Sequence, residues 1–416
     1  MKAATAVLVA TMAVLGAACM GDDDAVEPVA SRQCAPLVYE GEGEPDVIIV
    51  SDLPRRGIGA ETSEQMSGAI EFVLRKRGFT AGERRVGYQA CNDTIGEEPY
   101  DPGLCRRNAR AYVETESVLG VIGPWNSGCA IEQIPIVSRL DTGPLAMISP
   151  STTHVDLTRD DALSTDGVRS FARVVAHNAV QGAAAAYLAR ELRASRAVVL
   201  EGSTDDAYVS TLVGPFEAAA RTLGLETTRL QWPVQRSYAN LATSVAALRP
   251  DVVYLGGLSQ DNGKRLVEDL RAALPRDVRL IAPDGFAHSA VAGALGSAGE
   301  GMLVTAASLP PELLPPAGER FVRDFGGSVD NPAFLGAPEA AQAAEVLLDA
   351  IGRSDGTRAS VVEELFATKI ENGILGSFAL DRFGDIDPAP VGVYRYEDGR
   401  IVVDGIVRTP LAATGG

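Results

Sequence analysis

Positive charge and histidine are both scarce in this sequence. It has 37 Lys and Arg against 55 Asp and Glu, for a formal net charge of −18 at pH 7. Nucleic-acid binding requires a concentrated positive surface, so a nucleic-acid partner is excluded. The three histidines (His154, His177 and His288) and the lack of a Cys-x-x-Cys motif leave few zinc ligands. We therefore predict no metal site and no cofactor.

The sequence also lacks the short motifs of common enzymes. Ser127 lies between Trp125 and Cys129, so it is not in the Gly-x-Ser-x-Gly turn of hydrolases. The stretch "GGLSQDNGKRL" has Leu258 and Arg265 where a phosphate-binding loop requires glycine and a hydroxyl. "GIGAET" lacks the third glycine of a dinucleotide-binding turn. Asp284 and Glu300 could pair as in glycosidases, but sequence does not give their separation. We predict that the protein is not an enzyme.

A hydrophobic stretch occurs at the N-terminus, in "MKAATAVLVATMAVLGAAC". The apolar run from Ala3 to Leu15 follows Lys2 and is too short to span a bilayer. This pattern is typical of a cleaved signal peptide, which we place at residues 1–18. A retained membrane anchor is the alternative.

Four cysteines remain after such a cleavage downstream of Cys19: Cys34, Cys91, Cys105 and Cys129. An even number in an exported chain indicates two disulfides, with three possible connectivities. Cys91 and Cys105 flank one loop and are the easiest pair, which would leave Cys34 for Cys129. Pairing of Cys105 with Cys129 is the alternative.

From residue 46 onwards, short β-rich runs alternate with amphipathic helical stretches. "DVIIVSD", "VLGVIGP" and "PLAMIS" read as buried strands with helices between them, and the alternation restarts after "RSFARVV". The C-terminal "VGVYRYEDGRIVVDG" predicts a hairpin that turns at "EDGR". This order predicts an α/β fold made of two lobes, each with a doubly wound parallel sheet.

Ligands of open α/β sheets bind at the carboxyl ends of the strands. The residues that follow "VIGP", "AMIS", "VVLEG", "YLGG" and "IAPD" are therefore candidates for a binding site, Asp284 among them. "SPSTTHVDLT" supplies clustered hydroxyl and backbone N–H groups, which suit a small anion such as a carboxylate. Ordinary helix capping by Ser and Thr is the alternative interpretation.

These stretches resemble the type I periplasmic binding proteins of ABC importers, specifically the branched-chain amino-acid group of substrate-binding lipoproteins. The similarity covers about residues 34–408 and includes "VIIVSDLP", "VIGPWNSGCA", "PLAMISPSTTHVDLT", "HNAVQGAAAA", "DVVYLGGL", "PDGF", "AGEGMLV" and "FALDRFGD". It implies two lobes that are joined by three crossovers and that close on a ligand. The crossovers are expected near residues 174–178, 305–310 and 376–382. Lobe 1 would then comprise residues 36–174 and 309–377, and lobe 2 residues 178–306 and 380–408.

The resemblance also implies roles for individual residues. Ser127 matches the serine that binds the ligand carboxylate, and Ser151, Thr152 and Thr153 match the segment that completes that site. In lobe 2, Tyr208 matches a tyrosine that faces the cleft, and Glu300 matches the glutamate that pairs with the ligand's amino group. Aromatic residues of the leucine-type pocket are replaced by Leu258, Ser259 and the Arg55–Arg56 pair, so Trp125 is a candidate wall.

The small residues before Cys19 resemble a bacterial lipobox, although Gly16 stands where leucine is preferred. The resemblance implies a lipidated Cys19 and an acidic tether over residues 19–35. The expected protein is a membrane-anchored, extracytoplasmic monomer that captures a branched-chain amino acid or a related amide for an ABC permease. A sensor built on the same fold, or an exported enzyme, is the alternative.

Overall fold

The computed structural model describes residues 26–141, 143–164, 167–203, 208–325 and 336–407, without the side chain of residue 58. The predicted signal peptide, Cys19 and the first part of the tether lie outside these ranges. Within them, no helix has the length and apolar character needed to cross a bilayer.

Lobe 1 is built on a six-stranded sheet in the order β2-β3-β1-β4-β5-β6, which is parallel except for β2. Crossover helices cover its faces, as the alternating sequence pattern predicted. Its strands and helices are β1 (Val47–Asp52), α1 (Ala60–Lys76), β2 (Thr80–Ala81), β3 (Arg84–Cys91), α2 (Pro102–Glu114), β4 (Val118–Ile122), α3 (Ser127–Val137), β5 (Ala146–Ser149), α4 (Asp156–Arg159) and β6 (Phe171–Arg173).

Lobe 2 begins with α5 (Asn178–Glu191), which packs closely against the next long helix, α6 (Val213–Thr222). Its five parallel strands have the order β11-β10-β9-β7-β8. The remaining elements are β7 (Arg196–Glu201), α6 (Val213–Thr222), β8 (Glu226–Gln231), α7 (Ala239–Ala247), β9 (Val252–Gly256), α8 (Gly263–Ala273), β10 (Arg279–Ala282), α9 (Ser289–Leu295) and β11 (Leu303–Ala306).

The chain then returns to lobe 1 before it ends in lobe 2. The returning elements are α10 (Pro316–Phe325), α11 (Ala337–Arg353), α12 (Arg358–Phe366), β12 (Lys369–Gly373), β13 (Gly376–Leu380) and β14 (Ile386–Asp387). The predicted C-terminal hairpin is present as β15 (Val391–Glu397) and β16 (Arg400–Val407), and β15 pairs antiparallel with β11.

The main chain passes between the lobes three times, at residues 174–177, 307–310 and 388–390. The third passage lies later than the expected 376–382. Strands β12, β13 and β14 form a separate antiparallel sheet, and Leu380 and Ile386 are buried in the core of lobe 1. Residues 380–387 therefore belong to lobe 1, since their apolar side chains pack there before the chain leaves.

Two disulfides join Cys34 to Cys91 and Cys105 to Cys129. The favoured pairing of Cys91 with Cys105 was wrong, and the alternative pair Cys105–Cys129 is the one that forms. Cys34 lies beside Cys91 in an antiparallel bridge, while Cys105 and Cys129 lie on the packed helices α2 and α3.

A buried ion pair joins two of the three passages. Arg173, which ends β6 and is 0% exposed, donates from Nε to Oδ1 of Asp385 at 2.7 Å. Arg173 also donates to the carbonyl of His154 at 2.7 Å and to the hydroxyl of Thr158 at 2.7 Å. Burial opposes ionisation of Asp385, but the nearby Arg173 and His177 hold its pKa down at about 2. One guanidinium thus fixes the segment 152–158 and the approach to the third passage.

We expect Asp385→Asn to lower the free energy of unfolding at pH 7 by about 3–5 kcal/mol, because Arg173 would stay buried without a counter-charge. Asp349→Asn removes a more exposed pair with Arg77 and should cost below about 1 kcal/mol. Urea titration of both variants measures the two losses. Since the folded pKa of Asp385 is depressed, its contribution is present above about pH 4 and declines toward pH 2. Equal losses in the two variants would contradict this assignment.

Candidate functional site

A cavity of about 430 Å³ lies between the two lobes. It opens at the carboxyl ends of β3, β4 and β5 in lobe 1 and of β7, β9 and β10 in lobe 2, where parallel sheets bind ligands. The residues that line this cleft are Thr62, Glu97, Glu98, Pro99, Trp125, Asn126, Ser127, Ser151, Thr153, Tyr208, Leu258, Gln260, Asp261, Asp284, Gly285, Ala287 and His288.

The segment "GPWNSG" turns sharply from β4 into α3. Gly123 has a φ of +138°, and a Cβ there would lie 2.6 Å from the carbonyl oxygen of Asp52. Asn126 caps the helix by accepting the N–H of Gly128 at 2.8 Å. Ser127 therefore becomes the first helical residue, at the edge of the cleft.

The hydroxyl of Ser127 is oriented by two backbone groups. Its Oγ accepts the N–H groups of Thr153 and His154, each at 3.3 Å. A hydroxyl has two acceptor positions and one proton to donate. Because both acceptor positions are engaged, Ser127 meets a further partner as a donor, which favours an anionic oxygen.

Ser149, the last residue of β5, holds the adjoining turn in place. Its Oγ donates to the carbonyl of Pro124 at 2.8 Å and accepts the N–H groups of Ser151 and Thr152 at 3.1 and 2.9 Å. Ser151 and Thr153 line the cleft, whereas Thr152 is buried outside its lining. The predicted hydroxyl cluster is thus present, with Thr152 positioned behind it.

The wall of lobe 2 presents an acidic group. Asp284 follows β10 and is 8% exposed. Its Oδ1 accepts the phenol proton of Tyr208, and the phenol oxygen accepts the N–H of Gly285 at 3.2 Å. Burial raises the pKa of Asp284 above its usual value, against the hydrogen bond from Tyr208. A cation in the cleft would relieve that cost, since an opposite charge favours the ionised carboxyl.

Glu300 does not take part in this wall. It is exposed, precedes β11, and accepts the N–H of Asp398 at 3.0 Å in the C-terminal hairpin. Parallel strands present their starting residues at the edge opposite their carboxyl ends, so Glu300 lies away from the cleft. The expectation that Glu300 binds the ligand's amino group is therefore corrected; the acidic residues of lobe 2 that line the cleft are Asp261 and Asp284.

Asn178 joins the two walls and was missed by the sequence analysis. Its backbone N–H donates to the carbonyl of Thr153 at 2.7 Å, and its side chain donates to the carbonyl of Tyr208 at 2.7 Å. The only sequence feature that could have indicated this role of Asn178 is its place in "HNAVQ", where an amide side chain begins a helix directly after the first passage.

A family model of periplasmic binding proteins matches residues 94–394. The chain belongs to this family of solute-binding proteins. Members bind small molecules and work with ABC permeases, and they are not enzymes. No curated protein matches the sequence.

Solved structures of periplasmic binding proteins share the fold. A leucine binding protein from Thermotoga maritima is 23% identical, with 87% of this chain and 99% of that chain covered and a TM-score of 0.74. An ABC transporter substrate-binding protein from Desulfitobacterium hafniense, in complex with Leu, is 21% identical over 86% and 99%, with a TM-score of 0.72. A solute binding protein from R. palustris in complex with benzoate is 19% identical over 88% and 98%, with a TM-score of 0.70.

Two large apolar side chains lie on opposite sides of this periplasmic binding protein's cleft. Trp125 lines the cleft and also packs against the core of lobe 1. Leu258 contributes from the opposite lobe. Glu97 and Glu98 also line the cleft, although no motif in the sequence indicated them. Their loop packs over Gly57, where a Cβ would lie 2.6 Å from the carbonyl oxygen of Glu97.

Two fully buried carboxyl groups lie at the same edge of lobe 1. Asp52 ends β1 and accepts the side-chain amides of Asn108 (2.9 Å) and Gln133. Asp93 lies in the loop that carries Glu97, and one of its carboxylate oxygens lies within 4.8 Å of the sulfurs of Cys105 and Cys129. That group offers no metal-binding thiolates, because the two sulfurs form a disulfide. Burial raises the pKa of Asp52 to about 6, and burial together with the charge of Asp52 raises that of Asp93.

We expect Asp52→Asn to change the pH dependence of stability. Between about pH 4 and pH 6 the folded protein holds a proton on Asp52 that the unfolded chain has lost, so stability falls as pH rises. The wild-type free energy of unfolding, minus that of the variant, should fall by about 2–3 kcal/mol across this window. It should go on falling above the window, because the charge of Asp52 raises the pKa of Asp93 in the wild type alone. His177, whose pKa is lowered to about 4 by burial, contributes the opposite slope in both proteins and cancels. Urea titrations at five pH values measure the difference, and a constant difference would show that Asp52 does not titrate there.

Proposed function

We propose that this protein is the extracytoplasmic solute-binding component of an ABC importer and that it captures a small amino-acid-like zwitterion in the cleft. The observation that carries the proposal is the opposite chemistry of the two walls. The wall of lobe 1 offers hydrogen-bond donors from Ser127 and the turn that carries Ser151 and Thr153. The wall of lobe 2 offers the carboxylate of Asp284.

In lobe 1, neutral donors receive the ligand's carboxylate. The Ser127 hydroxyl is committed as a donor by the two N–H groups that it accepts. Ser151 and Thr153 place further polar groups on the same wall. Neutral donors bind an anion without requiring that a counter-charge be desolvated.

In lobe 2, Asp284 receives the ligand's ammonium group. Tyr208 holds one carboxylate oxygen through its phenol proton, which fixes the rotamer. Asp284 also lines the cleft. Since a charge-assisted hydrogen bond strengthens where water is excluded, the contact gains as the lobes approach each other.

Binding and closure form one equilibrium in this mechanism. A ligand that touches both walls has a higher affinity for the closed arrangement, so it shifts the population toward that arrangement. Asn178 joins both walls by hydrogen bonds and lies directly after the first passage. It is therefore placed to transmit the movement of one wall to the other.

The sequence supports membrane attachment as part of the same proposal. Acyl chains on Cys19 would hold the protein at the membrane surface, since each buried methylene contributes about 0.8 kcal/mol. The acidic segment that follows Cys19 would then separate the lobes from the bilayer. Such a position presents the closed, loaded protein to a permease.

The proposal predicts ligand-dependent stabilisation of the purified mature protein. A panel of neutral, basic and acidic amino acids, amides and benzoate is to be screened by thermal shift and calorimetry. At a concentration of about 100 times Kd, a ligand of the folded protein adds about 2.7 kcal/mol to its stability. Failure of every member to raise Tm or to give heat would remove the proposed function.

We expect Asp284→Asn to weaken binding of the best panel member by about 1.5–3 kcal/mol, because the charged partner of the ligand's ammonium is lost. Glu300→Gln makes the equivalent loss of charge on lobe 2, outside the cleft, and should leave affinity unchanged. Calorimetry of both variants, with circular dichroism to verify folding, gives the comparison. A larger loss in the Glu300 variant would reverse the assignment.

A further inference from the structure

The cleft has more acidic groups than a simple zwitterion can use. Four carboxyl groups line it: Glu97, Glu98, Asp261 and Asp284. None of the described residues in its lining is lysine or arginine. The remaining titratable ring, His288, is neutral at pH 7 because burial lowers its pKa. The ionised side chains in the described part of the lining therefore all carry charge of one sign.

From these groups we propose that the ligand is cationic overall, an α-amino acid whose side chain carries a second positive group. The inference rests on the proposed function and specifies its ligand class. Asp284 takes the α-ammonium, and Ser127 takes the carboxylate. Glu97 and Glu98 remain for a cationic group at the far end of the side chain, and Asp261 adds negative charge from the facing lobe.

The positions of Glu97, Glu98 and Asp261 favour a ligand that is held by both lobes. Glu97 and Glu98 belong to the loop after β3 in lobe 1, and Asp261 belongs to the loop after β9 in lobe 2. Closure brings these like charges toward one another, which costs free energy in an empty cleft. A cation between them reverses the sign of the interaction, so that closure and cation binding support each other.

The two glutamates are available for such a contact. Glu97 and Glu98 are exposed and form no ion pair or side-chain hydrogen bond with any residue in the described part of the chain. Many acidic side chains elsewhere in this protein are paired with arginine, as Asp46 is with Arg85 at 2.5 Å. A cleft lined by one sign of charge also concentrates oppositely charged solutes and raises their association rate.

The size of the cavity is compatible with this ligand class. A volume of about 430 Å³ lies within the range of small-molecule sites, roughly 300–1,000 Å³. Trp125 and Leu258 offer apolar contact for a methylene chain. Such a chain would run between the two apolar side chains while its charged ends reach the polar groups.

The test compares lysine with norleucine, which has the same carbon chain without the terminal ammonium. Calorimetry at about 0.01 M ionic strength should give at least a tenfold lower Kd for lysine than for norleucine. Raising the ionic strength to about 0.15 M shortens the Debye length from about 30 to about 8 Å and should weaken lysine more than norleucine. Glutamate and benzoate should not bind.

The double variant Glu97→Gln/Glu98→Gln should reduce the preference for lysine at least about fivefold and leave norleucine unaffected. The matched control is Glu226→Gln/Glu371→Gln, which removes the same charge from exposed positions outside the cleft lining and should preserve the preference. Ornithine and arginine extend the panel if the length of the side chain matters.

Each outcome decides the proposal. A preference for norleucine or leucine over all three basic amino acids would overturn the cationic ligand class and leave the proposed function intact. A lysine preference that survives in the glutamate variant, or falls equally in the control, would also overturn it. No binding by any member of the panel would remove the proposed function itself.

Discussion

The buried ion pair between Arg173 and Asp385 is the interaction on which the passages between the lobes and the binding wall of lobe 1 depend. Arg173 is the last residue of β6, immediately before the chain first passes to lobe 2. Its counter-charge, Asp385, lies just before the third passage, and its other donors hold the carbonyl of His154 and the hydroxyl of Thr158. An unpaired charge at this depth would be very costly. The pair therefore fixes the position of two passages and of the turn that orients Ser127.

The two walls of the cleft differ in their electrostatic character. Lobe 1 holds oriented neutral donors. The free-energy cost of burying the hydroxyls of Ser127 and Ser149 is low, because every acceptor position of these two groups is already used within the protein. Lobe 2 holds a partly desolvated carboxyl, with the pKa of Asp284 raised by burial. A cation bound beside that carboxyl would favour its ionised form. The additional glutamates at the rim extend the same negative potential toward solvent.

Much of the architecture could be predicted because it follows from local patterns. Alternating strands and helices, the terminal hairpin and the strand ends near Ser127, Ser151 and Asp284 all follow from periodicity and from the topology of parallel sheets. The role of Glu300 was wrong because a motif match does not say at which end of a strand a residue lies. Glu300 precedes β11 and Asp284 follows β10, so these two acidic residues face opposite edges of one sheet. The favoured pairing of the cysteines was wrong for a similar reason, since spacing along the chain says little about which cysteines the sheet and helices bring together.

By itself the sequence determined the fold class, the elements and the hydroxyl-rich turn beside Ser127, because hydrophobic period and turn chemistry are local properties of a chain. It also carried the resemblance that led to the family. Only the tertiary structure decided that Asp284, Glu97, Glu98 and Asp261 surround one cavity, and that Asn178 links its walls. Those facts depend on loops from distant segments meeting across the cleft. Their meeting is set by the packing of two lobes and by the buried Arg173–Asp385 pair, which no local pattern contains.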